Sequence, residues 1–147
     1  MTTPQVSLRH TIATLAYRVN ATTKDAPATF AATTAGNGTR SAAEVLAHMG
    51  DLLDWAFSLA IGDEKWNDST PLPWPQEIAR FQKALARLDS HVAAGAELKA
   101  PAAKIFQGAI ADAIWHTGQL ALLRRLAASP IESENYAEAA IAEGKFA

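Results

Sequence analysis

Cysteine is absent from the 147-residue chain, which excludes disulfides and thiolate ligands and leaves nitrogen and oxygen as the only donors for a metal. An excess of one charge is missing too: 13 Lys plus Arg stand against 15 Asp plus Glu. Such a chain has no long-range positive field to recruit nucleic acid, and no nucleic-acid partner is expected. No apolar run approaches the roughly 20 residues of a membrane span, and the opening MTTPQVSLRH lacks the apolar stretch of a secretory signal. A soluble, cytoplasmic protein is therefore expected. No segment alternates apolar and polar residues over a strand's length, and there is no internal repeat or low-complexity stretch. The length suits one domain, 1–147, large enough to bury roughly two-thirds of its unfolded surface without cross-links.

Helical periodicity accounts for most of what is present. Leu8, Ile12, Leu15 and Val19 predict a first helix from about Pro4 to Thr22. Residues 23–40 read as a long loop over one end of the fold, with Phe30 as its one large apolar group and Gly36-Asn37-Gly38 as an ordinary turn. Ser41-Ala42-Ala43-Glu44 has the form of a capping box that opens a second helix, whose core face is Val45, Met49, Leu52, Ala56 and Leu59. The proline-rich stretch Asp63 to Pro75 is a loop. A third helix then runs from Pro75 to Ala94 on Ile78, Phe81, Leu85, Leu88 and Val92. A fourth spans Ala102 to Ala128, with Arg124 and Arg125 as surface cations near its negative end. The tail from Glu132 to Glu143 has modest helical character, with Tyr136 and Ile141 as its anchors. Four helices with one apolar face each predict an all-α four-helix bundle, and the long links permit a crossover connection.

The fourth helix carries the unusual chemistry. On an ideal helix, Ile105, Ala109, Leu120, Leu123 and Ala127 share one stripe, and Asp112 and His116 fall within it. Burying a carboxylate and an imidazole costs several kcal/mol without a partner, so this stripe predicts either an ion pair or a bound cation. Their separation of four residues stacks both on one face, as two ligands for one metal. A third ligand should come from a facing helix, and His48, flanking the core stripe of the second helix, is the candidate. His48, Asp112 and His116 would leave coordination positions open for water or substrate. Gln119, three residues beyond His116, is placed to orient a ligand or a bound water by a hydrogen bond from behind. Glu44, four residues before His48, is a candidate base or extra ligand, in competition with its capping role. Trp55 and Trp115 are either pocket walls or core packing, and His10 and His91 are surface residues.

Two stretches resemble the DinB-like family, which includes the YfiT-type metalloenzymes. SAAEVLAHMGDLLDW is similar to the family's second helix, which carries the first metal-binding histidine, and ADAIWHTGQLALLRRLAASPI to its fourth, which carries H-x-x-x-H followed by Gly and Gln. His48 matches the first ligand and His116 the last, while Asp112 stands where the family most often has its middle histidine. The resemblance implies a bundle with a crossover, a divalent metal held by helices two and four, and a homodimer. It implies zinc or nickel, and the carboxylate at 112 shifts the donor set toward manganese or iron(II). It further implies a small-molecule substrate and chemistry of two kinds, hydrolysis or transfer of a low-molecular-weight thiol. Two rival readings follow from the residues: a non-catalytic dimeric binding module with a structural Asp112–His116 pair, and an iron(II) oxygenase, which ranks last because such sites are typically built in β-barrels.

Overall fold

The computed structural model describes residues 2–146, so the ends of the expected 1–147 domain lie outside it. It contains four long helices and, among the described residues, no strand. The first, α1 (Thr3–Thr23), begins where the Gln5 side chain accepts a hydrogen bond from the Thr2 N–H at 2.7 Å. The second, α2 (Ala42–Ile61), opens on the expected capping box: Ser41 N–H donates to the Glu44 carboxylate at 2.7 Å and Glu44 N–H to Ser41 Oγ at 3.2 Å. The third, α3 (Trp74–Ala93), has Pro75 in its first turn. The fourth, α4, is built of an α turn (Ala102–Ile105), a π turn (Phe106–Ile110) and a long α segment (Ala111–Leu126). The apolar stripes expected of each helix are buried and meet in one core, including Ile12, Leu15, Leu46, Leu53, Phe81, Leu88, Ile105 and Leu120. No helix among the described residues is long and apolar enough to cross a membrane.

Cross-helix contacts fix the topology. Arg9, early in α1, binds Asp89, late in α3, so these two run antiparallel. Arg80 binds Asp51 and Arg87 binds Asp54, so α2 and α3 run parallel. The start of α4 lies beside the start of α1, and Arg124 near its end donates to Thr22 O at the end of α1, so these run parallel. The order is up, down, down, up. The main neighbours of α1 are α3 and α4, and α2 packs on the same pair, leaving α1 and α2 at opposite corners. Joining two parallel helices requires the link after α2 to return the full length of the bundle. About 12 extended residues reach roughly 40 Å, which exceeds the ~30 Å length of a 20-residue helix. Residues 62–73 are therefore a strap laid back along α2, clipped by Lys65 N–H to Ser58 Oγ at 3.0 Å and by Ser69 N–H and Oγ to Asp51 at 2.8 and 2.6 Å.

The structure departs from expectation at several places. The fourth helix is not a continuous α-helix from 102 to 128 but carries the π turn and ends at Leu126. The tail is not helical; it crosses α1 as coil and turns, and Tyr136 holds it there by an edge contact with Tyr17 and a stack under Arg18. Arg124 is not a surface cation. It is buried, donating to Thr22 O, Lys24 O and Ser129 O at 2.7 to 2.9 Å, because the 24–41 link and the tail both fold over the end of α4 and leave carbonyls there to be satisfied. The same link buries Phe30 edge-on against Trp74. His91 is half-buried instead of exposed, its ring edge-on to Phe57 and its Nε2 without a hydrogen-bond partner, because Phe57 and Arg87 cover its side of α3. His10 is exposed as expected.

Candidate metal centre

Antiparallel packing of α2 on α4 sets the second turn of one helix against the middle of the other, and His48, Asp112 and His116 meet there. One ligand atom from each lies within 4.8 Å of the other two. His48 Nε2 stands 3.6 Å from Asp112 Oδ2, and His116 Nε2 stands 3.5 Å from Asp112 Oδ1. Both separations are longer than a hydrogen bond. Each histidine faces a different oxygen of the carboxylate, and donors of a tetrahedral ion at about 2.0–2.2 Å stand roughly 3.3–3.6 Å apart, so a shared ion would draw the three slightly closer together. The two imidazole rings are edge-to-face, with centroids 4.7 Å apart.

Each donor is prepared differently. His116 is buried, and its Nδ1 stands 2.7 Å from Gln119 Oε1; an amide oxygen only accepts, so this contact places a proton on Nδ1, the tautomer that in the neutral ring leaves the Nε2 lone pair for a cation. His48 is held below its ordinary pKa, first by burial and then by the charges of Arg40 and His116, with Asp112 opposing them. This favours neutral imidazole, the form that binds a cation. Asp112 departs from the reading that placed it inside the core, since its side chain is 47% exposed. The physical cause is the phase of the helix after the π turn. The buried residues there, Ala109, Ala113, His116, Thr117 and Leu120, are centred near Ala113. Asp112, about 100° away, lies at the margin of that face, at the solvent edge of the centre.

The surroundings are asymmetric. Trp66 of the strap places its ring 5.7 Å from His48 and 6.0 Å from Trp55, forming an aromatic wall on one side. Trp115, adjacent to His116 in sequence, is 74% exposed and belongs to neither wall nor core. The π turn lets α4 approach that wall closely: a Cβ on Gly108 would stand 3.3 Å from the Trp55 ring. Glu44 borders the polar hollow beside His48, but its carboxylate is bound to the Ser41 N–H and its pKa is lowered by that bond, which suits a cap and not a base. A hollow of about 710 Å³ between the end of α1 and the tail includes none of the three ligands.

Behind His48 lies a cluster that the sequence reading did not single out. Asp51 (1% exposed) and Glu77 (0%) are buried carboxylates, and Arg80 binds both, reaching also to Ala47 O at 3.1 Å. Gly50 makes room for it, since a Cβ there would lie 2.8 Å from the Arg80 guanidinium. Asp51 also clips the strap through Ser69, so adjacent positions on one face of α2 carry a ligand and the anchor of its cover.

Gln119 fixes the tautomer and ring orientation of His116 from an exposed position. Gln119→Leu is expected to lower zinc affinity about 10- to 100-fold without changing the fold, as measured by competition with a chromogenic chelator and by circular dichroism. Comparison of the chain with protein-family models, with curated proteins and with solved structures gives no match to any of them.

Proposed function

We propose that the protein is a divalent-metal-dependent enzyme of the DinB-like type, acting on a small molecule by thiol transfer or hydrolysis, with His48, Asp112 and His116 as the ligands. The observation that carries this reading is the convergence of the three donor side chains from two helices within 4.8 Å. Asp112 faces both histidines at once, one carboxylate oxygen 3.6 Å from His48 Nε2 and the other 3.5 Å from His116 Nε2, the disposition of a group that shares an ion with them. The donor set of two imidazoles and a carboxylate suits zinc and also admits manganese or iron(II).

When bound, a divalent cation with an open position lowers the pKa of a water or thiol beside it. The rest of the work falls to the chain. Gln119 holds His116 in the ligating tautomer, Trp66 and Trp55 keep bulk water from one side, and the exposed edge at Asp112 leaves the other side open to substrate. A homodimer is part of the proposal, supported by Trp115 and Leu126, exposed apolar groups on one face of α4.

Elemental analysis and two paired assays test the reading. Purified protein is expected to carry about one divalent metal per chain, and the metal-loaded form to accelerate either glutathione transfer to a chloronitrobenzene or hydrolysis of a nitrophenyl ester, with chelation abolishing the rate. Failure to retain any stoichiometric divalent ion would rule the reading out.

A further inference from the structure

Two hollows beside the metal centre meet at Arg40. One, about 350 Å³ and polar, is walled by Arg40 with Glu44, His48, Asp51, Asp68 and Ser69. The other, about 340 Å³, has Val45, Leu122 and Leu123 as its apolar wall and Thr39, Gln119 and Arg40 as its polar groups. Through Gln119 this second hollow touches His116. Arg40 is its one charged group.

Of the other six arginines five are engaged, and the sixth, Arg125, is exposed on α4 and borders neither hollow. Arg9, Arg80 and Arg87 hold carboxylates, Arg124 holds backbone carbonyls, and Arg18 lies on the Tyr136 ring. Arg40 makes no ion pair within 4.0 Å among the described residues. Glu44, the carboxylate that feels its charge, is already bound to Ser41 N–H. The backbone leading to Arg40 is fixed. Thr39 Oγ1 accepts from Ala35 N–H at 3.1 Å and donates to Gly36 O at 2.8 Å, and Ala42 N–H closes the loop onto Thr33 O at 3.0 Å. Arg40 is exposed at the rim of this hollow, its backbone held, its guanidinium without an acidic partner and beside an apolar wall, so it is free to take a planar anion.

We propose that Arg40 and the hollow of Val45, Leu122 and Leu123 bind a small carboxylate with an apolar body, the carboxylate on the guanidinium and the body against the leucines. This names the substrate class of the centre proposed above and depends on that reading for its catalytic meaning, though not for the binding itself. A doubly charged anion is disfavoured, because Glu44 and Asp68 border the adjoining hollow and Arg40 is the only cation there. The volume, at the low end of small-molecule sites, suits a single ring or a short alkyl chain.

Phenylacetate and its uncharged isostere phenylacetamide are suitable probes, titrated by calorimetry into chelator-treated protein and into the same protein after zinc loading. Metal-free protein is expected to bind phenylacetate roughly 10- to 100-fold more tightly than the amide. Arg40→Gln should erase that preference, Arg40→Lys should keep part of it, and Leu122→Ser should weaken both probes alike. Equal binding of the two probes to metal-free protein, or a preference that survives Arg40→Gln, overturns the proposal. A preference that appears only with zinc and is indifferent to Arg40 means that the carboxylate ligates the ion; the Arg40 site then fails while the metal reading stands. An Arg40-dependent preference in protein that takes up no zinc upholds the site and removes the enzyme.

Discussion

Arg80→Met is expected to destabilise the protein by about 3–5 kcal/mol, the cost of leaving a buried ion network without one partner. Asp51 and Glu77 are almost completely buried, and Arg80 is the one cation that binds both of them. Methionine occupies similar volume, so the loss comes from two uncompensated carboxylates and not from a cavity. At roughly 2–4 °C per kcal/mol for a chain of this size, the melting temperature should fall by about 6–20 °C. Arg87→Met supplies the comparison. Its pair with Asp54 is half-exposed, and its removal should cost no more than ~1 kcal/mol. Adding Asp51→Asn and Glu77→Gln to Arg80→Met should recover part of the loss, because neutral amides are less costly to bury than orphaned charges. Urea unfolding of the four proteins measures all three effects. A cost for Arg80→Met no larger than that for Arg87→Met would mean that water, not Arg80, balances the two carboxylates.

The cluster also marks where sequence reading stops. Helix limits were legible to within a residue or two because local chemistry sets them: Ser41 and Glu44 satisfy each other's backbone donors, and Pro75 suits only a first turn. The convergence of His48 with Asp112 and His116 was legible because His116, a polar residue inside an apolar stripe, is costly to bury and demands a partner, and Asp112 stands one turn before it on the same helix. Arg80, Asp51 and Glu77 sent no such signal. Charged residues are exposed by default; Asp51 and Glu77 are buried and Arg80 half-buried where the strap runs back over them, a tertiary event that no local pattern announces. The same holds for Arg124, covered by two segments distant in sequence. The π turn was hidden for another reason. The residues 106–110, FQGAI, are compatible with either hydrogen-bond register, and the choice falls to the packing of Gly108 on Trp55. Misjudging that one turn shifted the expected face and put Asp112 too deep.

Replacing any one ligand should lower zinc affinity by roughly two orders of magnitude. A four-ligand zinc site is worth about 10–16 kcal/mol, or ~3 kcal/mol per ligand. His48→Ala, Asp112→Ala and His116→Ala should therefore behave alike in metal binding, and differently in the absence of metal. Asp112 is half-exposed and makes no hydrogen bond to either histidine, so Asp112→Ala should leave metal-free stability within ~0.5 kcal/mol of the parent. His116→Ala empties a buried position and orphans Gln119, and should cost more than that. Saturating zinc should raise the parent's stability by about 4 kcal/mol at a thousandfold excess over Kd, and raise the variants far less. Acid should act as a milder form of the same change. The folded-state pKa of His48 lies below its ordinary value, so the folded protein takes up that proton less readily than the unfolded chain. The stability contributed by His48 should then decline as pH falls from the ordinary histidine range toward its lowered folded-state pKa, and metal affinity should fall as the ligands take up protons. The decisive comparison is Asp112→Ala. If it destabilises metal-free protein while zinc shifts its melting temperature as much as the parent's, the carboxylate is a structural partner of the two histidines and not a ligand.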